Sequence, residues 1–453
     1  MARNRPINAD VPAAQAPRGA GESPSPKSKR AATPPPPSPP RVKRRRRPVP
    51  FALKAIVGLV IVAVTFIVAA ILGGSGPKTS SSTSGDASAP VSGSGETPRA
   101  PAAQTSSQLG YPAFATNNTT RIGGADPAAN AAGVALATFP STTSSLRPAA
   151  VTLVGEDDWQ GAIAASVLMA APVGAPVLIS APGGVPAPTS AALTALDPQG
   201  SGATGGAQAF AVGEVATPSG LTKVTPIEAG DAAATAAAIE KLRDKLFGAA
   251  PEHVVIASAD QPGFAMPAAA WAARSGDPVL FTSRNRLPPA TAAALKLHPK
   301  APAYVLGPSS VISSAVVRQI AKIDSQVHRV SGEDPVTNAI ALARYAGGGF
   351  GWNVNDPGHG FVVARSDSPL DAAAAAPLSA SGTWGPLLLT DSADTLPPAL
   401  RGYLLDVKPG YTTDPTRAFY NHVWVIGDEG AIDVNQQAEI DNLAELTKIG
   451  GEP

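Results

Sequence analysis

Hydroxyl side chains recur at one beat of this chain. Ser180, Thr282 and Thr390 each close a short apolar run, in Pro176-Val-Leu-Ile-Ser, Pro278-Val-Leu-Phe-Thr and Pro386-Leu-Leu-Leu-Thr. A hydroxyl both donates and accepts a hydrogen bond, so such a row suits contacts to sugar hydroxyls or phosphate oxygens. The same residue types equally suit capping of a helix that follows a strand. Arg284 and Arg286 are the clustered cations at these positions, and an anionic group pairs well with guanidinium. Asp391, at the matching place in the third run, makes that position less attractive to an anion. The acidic run Glu156-Asp157-Asp158 follows another apolar segment and reads as a solvated loop.

Other chemistries find little support. The chain has no cysteine, which excludes disulfides, thiolate catalysis and cysteine-based zinc sites. His253, His298, His328, His359 and His422 are dispersed and form no His-Glu-x-x-His pair; His253, His328 and His422 sit near the starts of strands, so edge or surface positions outrank metal ligation. Gly200-Ser-Gly-Ala-Thr-Gly spells a dinucleotide fingerprint in the wrong context. A nucleotide site needs those glycines between a strand and a helix start, and here a strand follows them. Gly-x-Ser-x-Gly, the elbow of many hydrolases, does not occur in the folded region. No cofactor is expected, and the reading is noncatalytic.

The elements that must position the hydroxyls repeat about every hundred residues. Arg121-Ile-Gly-Gly-Ala-Asp-Pro and Arg329-Val-Ser-Gly-Glu-Asp-Pro are the clear copies, and Pro226-Ile-Glu-Ala-Gly-Asp is a degraded middle one. Continuous apolar runs follow each, as in Val151-Thr-Leu-Val, Val254-Val-Ile-Ala and Phe361-Val-Val-Ala, and they mark strands buried on both faces. Ala-rich helical stretches alternate with them, which predicts parallel sheets covered on both sides. Asp231 is placed to cap a helix reaching Phe247. The expected fold class is therefore α/β, with three tandem parallel-sheet units over 111–220, 221–325 and 326–447. Ligands of such sheets sit beyond the carboxyl ends of the strands.

Ahead of these units lie three segments of different composition. Residues 1–50 hold twelve Lys or Arg, two acidic residues and thirteen Pro, and read as a disordered basic tail. Residues 51–73 contain the uncharged run 55–72, long enough for a transmembrane helix. Residues 74–110 form a Ser/Gly/Pro linker. The cluster Lys43-Arg44-Arg45-Arg46-Arg47 precedes the apolar run, so the N-terminus is expected in the cytoplasm and the remainder outside. Attraction to anionic membrane lipid explains that cluster better than nucleic acid does. The Pro-rich tail is a spacer first and a site for a cytoplasmic partner second. The overall net charge of +1 conceals a basic tail and an acidic remainder.

The ordered set of motifs resembles the bacterial cell-wall-binding repeats of type 2, which occur in threes on surface-layer and wall-associated proteins. Arg121, Gly124 and Asp126, and again Arg329, Gly332 and Asp334, fit the family opening Arg-x-x-Gly-x-Asp-Arg, with Pro in place of its second Arg. Asp371-Ala-Ala-Ala-Ala is similar to the family's Asp-Ala-Leu-Ala-Ala, where Gly161 and Ala265 stand in the other units. Leu306-Gly-Pro-Ser-Ser-Val-Ile-Ser keeps the closing motif. The resemblance spans roughly residues 120–447. It implies three Rossmann-like units around a pseudo-threefold axis, holding an anionic cell-wall polymer or peptidoglycan-linked glycan noncovalently. Two other classes stay open: an accessory or regulator of a wall hydrolase, and an envelope sensor or scaffold signalling through the tail.

Overall fold

The computed structural model describes residues 114–450, apart from Ala229 and Ser325. Among the described residues no helix is long and apolar enough to cross a membrane. The tail, the apolar run 55–72 and the linker lie outside them.

Within 114–450 the chain is α/β, as expected. The strands are β1 (Phe114–Ala115), β2 (Thr119–Ile122), β3 (Val151–Gly155), β4 (Val177–Ser180), β5 (Ala209–Val212) and β6 (Val224–Ile227). They continue with β7 (Val254–Ser258), β8 (Val279–Thr282), β9 (Ala303–Leu306), β10 (Val327–Val330), β11 (Gly360–Arg365) and β12 (Leu387–Thr390). Last come β13 (Gly410–Tyr411), β14 (His422–Ile426) and β15 (Thr447–Lys448). Three sheets share one order: β4-β3-β5-β6, β8-β7-β9-β10 and β12-β11-β14-β2, the last extended by β1. Every pairing in these sheets is parallel except that of β1 with β2.

The fourth strand of each sheet is the opening motif of another repeat. Strand β6, which starts the second repeat in sequence, pairs with β5 of the first, and β10 pairs likewise with β9. Strand β2, which starts the first repeat, pairs with β14 of the third. The registers correspond: Arg121 lies opposite Val425, Pro226 opposite Ala211 and Arg329 opposite Val305. The sequence boundaries at 220 and 325 therefore fall just before strands that complete the preceding sheet.

Burial explains why the apolar runs become central strands. Leu153, Phe210, Val255, Ile256, Phe281, Val305, Val362 and Val425 are fully buried. A side chain of this size contributes about 1.5–3 kcal/mol when removed from water. Ala-rich helices come from the first crossover of each sheet: Trp159–Ala165, Pro267–Ser275 and Pro369–Ala380. They pack directly against one another. Ala162, Ala165, Ala268, Ala269, Ala272, Ala372 and Ala373 are fully buried. Small side chains let helix backbones approach, and helices apolar on all faces belong in an interior.

Candidate functional site

The strand-end residues occupy matching places. In register, Ser180 lies beside Gly155, Thr282 beside Ser258 and Thr390 beside Arg365. All three side chains are fully buried. Ser180 Oγ donates to Ala216 O at 2.8 Å, Thr282 Oγ1 to Arg286 O at 2.8 Å, and Thr390 Oγ1 to Ser392 O at 3.1 Å. These hydroxyls brace the loops around each strand end and are themselves buried, where exposed contacts to a ligand were expected. The loop held by Thr282 is fixed further by Arg284 N donating to Asp260 Oδ2 at 2.9 Å and by Ser313 N donating to Arg284 O at 2.9 Å. Arg284 and Arg286 are exposed on it, and neither guanidinium makes an ion pair among the described residues. Asp391 is also exposed.

The opening motif does structural work. Arg121, 1% exposed, donates from Nε to Gln437 Oε1 and from Nη1 to Gly427 O and Asp428 O, all at 2.8 Å. Arg329 reaches Gly307 O and, at 2.7 Å, Ile312 O. Each guanidinium thus fastens an opening strand to the loop after the third strand of the adjoining sheet. Pro226 replaces the arginine in the middle copy, and β6 is a sheet edge, where a residue without N–H is tolerated. Asp126, Asp231 and Asp334 cap the following helices, accepting from Ala129 N, Ala234 N and Thr337 N. Gly332 has no room for a side chain, since a Cβ there would lie 2.2 Å from Thr337 C. Asp158 caps the helix Trp159–Ala165 through Gly161 N at 2.7 Å, so the acidic run ends in a cap.

A cleft of about 480 Å³ opens elsewhere, lined by Glu252, His253, Trp271, Arg274, Asp277, Trp352, His359 and Trp384. It lies at the amino ends of β7, β8, β11 and β12, opposite to the carboxyl ends where open parallel sheets take ligands. An aromatic cluster packs behind its Trp271 wall. Phe350, fully buried on a Gly-rich segment, stacks on Tyr304 with centroids 3.8 Å apart and lies 4.7 Å from Trp271. Tyr304 Oη donates to Gly347 O at 2.9 Å. Trp271 meets Trp352 edge-on at 5.6 Å.

Asp277 ties this wall together. It accepts from His253 N and from Trp271 Nε1, both at 2.9 Å, and lies 3.1 Å from His253 Nδ1. His253 Nε2 is 3.0 Å from Gly348 O. Both ring nitrogens face acceptors, which favours the imidazolium. Burial pushes the His253 pKa down, but the hydrogen bonds to Asp277 and Gly348 and the charges of Asp277 and Glu252 outweigh it and hold the pKa above its ordinary value. His253 is buried, contrary to the edge or surface placement expected of it at a strand start. At the rim Trp384 is 53% exposed, with Arg274 Cζ 4.9 Å from its ring centroid. Its φ of 58° is uncommon for a bulky residue. Three of the five tryptophans of the chain line this cleft. Their positions at 271, 352 and 384 follow no sequence period, so nothing in the primary structure pointed to it.

Comparison with known proteins places the repeats. Residues 227–317 and 329–437 match the family Cell wall binding domain 2 (CWB2). No curated protein matches the sequence. Among solved structures the fold is similar to Cwp8 from Clostridium difficile, at 21% identity and a TM-score of 0.57, over 73% of this chain and 52% of that one. It is also similar to Cwp6 from Clostridium difficile, at 19% identity and a TM-score of 0.56, over 72% of this chain and 48% of that one. The chain thus spans about half the length of each. Two successive stretches of the chain, one in the second repeat and one in the third, thus match the cell wall binding domain 2 model.

Proposed function

We propose that this chain is a noncatalytic attachment protein that holds an anionic cell-wall polymer noncovalently. Its folded part stands outside the cell, and residues 51–73 anchor it in the membrane as a single span. The observation that carries the reading is the family match over two successive repeats. Three sheets of identical strand order support reading the first repeat, residues 111–220, in the same way, and support a pseudo-threefold arrangement around the Ala-rich helices. Residues 1–50 form the cytoplasmic tail, open to a partner of its own, and 74–110 the spacer to the wall. Tethering at both ends raises the local concentration of polymer, so weak contacts at each repeat suffice.

Ser180, Thr282 and Thr390 hold the strand-end loops in this reading, and Arg284 and Arg286 offer their charge to the polymer. Accessory service to a wall hydrolase remains compatible with the same attachment. The test is cosedimentation of the full chain, in detergent, with purified bacterial walls across a range of salt. Retention is expected, and the double variant R284E/R286E should bind more weakly with a shallower salt dependence. A wild-type chain that stays in the supernatant at every salt concentration overturns the proposal.

A further inference from the structure

We propose that the cleft between Trp271, Trp352 and Trp384 is a subsite for one or two pyranose rings of a wall glycan. The proposal rests on the wall-binding reading and names a contact that the repeat motifs do not contain. The aromatic wall is the first argument. A pyranose ring presents a face of slightly positive C–H bonds, and an indole presents a negative face that they can meet. Trp384 is 53% exposed, with Arg274 against its ring, and so offers its free ring surface to such a partner. The left-handed backbone that carries this aromatic residue at the rim is a strained conformation of the kind that clusters where ligands are held.

Polar groups beside the platform are the second argument. Exposed Glu252 accepts hydrogen bonds and Arg274 donates them, a combination that matches the paired donor and acceptor character of sugar hydroxyls. One exposed carboxylate beside one guanidinium leaves little net charge, which suits hydroxyl groups better than a phosphate. Asp277 adds no free charge, being engaged with His253 and Trp271. The third argument is rigidity. Phe350, stacked on Tyr304, packs behind Trp271, and Asp277 accepts from the Trp271 indole, so this wall is fixed before any ligand arrives, and a preformed wall lowers the cost of ordering on binding. The volume of about 480 Å³ lies within the usual range for ligand clefts.

The experiment compares the full-length chain with W384A, W384F and R274Q by cosedimentation with purified bacterial walls at low and high salt. Saccharide released from the same walls serves as competitor. W384A is expected to bind at least tenfold more weakly, with the same fold loss at both salt concentrations, because stacking is not screened. W384F keeps an aromatic face and should retain most of the affinity, and R274Q should lose severalfold. The released saccharide should displace the wild-type chain. Wild-type affinity in both W384A and R274Q overturns the subsite while leaving wall binding in place. A wild-type chain that does not bind walls overturns both readings.

Discussion

Replacing Arg121 by methionine removes the guanidinium that fastens β2 to the third sheet and keeps most of the apolar stem. The side chain is 1% exposed, and three of its hydrogen bonds are 2.8 Å long. A fourth, to Asp433 O, is 3.4 Å and contributes little. A hydrogen bond to a charged donor is worth roughly 1.5 kcal/mol at the low end, so three of them come to roughly 4.5 kcal/mol. That is a large share of the roughly 5–15 kcal/mol that holds a typical domain together. Opening of β2 from β14 should become about a thousandfold more frequent, at roughly 1.4 kcal/mol per factor of ten. Amide hydrogen exchange resolved to β2 and β14 reads this directly, since local opening free energy sets the exchange rate. Arg329→Met, which loses two carbonyl contacts at a partly exposed site, should cost roughly half as much. Unchanged exchange in β2, or a larger effect from Arg329→Met, would refute the idea that these arginines fasten the repeats together.

Asp371 is buried, and burial holds its pKa up at about 6, with Asp126 and Asp367 adding to the rise and the hydrogen bond from Asn130 opposing it. An acid whose folded pKa is raised loses stability as pH climbs from about 3.8 to about 6. Asp371→Asn should therefore stabilise the fold by up to about 3 kcal/mol at pH 7 and by almost nothing at pH 3, read from urea midpoints. His253 runs through a higher window. Its raised folded pKa contributes stability that is complete below the ordinary value of about 6.5 and is lost as pH rises through the folded value. The urea midpoint should fall on the alkaline side of that value, and His253→Gln should flatten the fall. An equal slope in both proteins would show that the Asp277 contact does not hold the charge. Gly332→Ala forces a Cβ within 2.2 Å of backbone carbon and should cost about 3 kcal/mol by denaturation.

The local elements of this protein were legible in its sequence because they depend on neighbours in the chain. Val254–Ser258 and Leu387–Thr390 form strands where the apolar runs predict them, and Asp231 caps Ala232–Phe247 as its position suggests. The hundred-residue repeat and the family resemblance were legible for the same reason, since motifs keep their order along a chain. Pairing between distant segments was not. The motif Arg-x-x-Gly-x-Asp looks like the start of a unit, yet its strand completes a neighbouring sheet. Only the long-range register of β2 with β14 and the carbonyls around Arg121 reveal that. Ser180, Thr282 and Thr390 recur faithfully because loop bracing is a repeated need, and recurrence by itself does not distinguish a buried brace from an exposed contact. The aromatic cleft is a tertiary product throughout. Trp271, Trp352 and Trp384 come from separate elements with no common period, and packing around Phe350 and Asp277 is what makes them one wall.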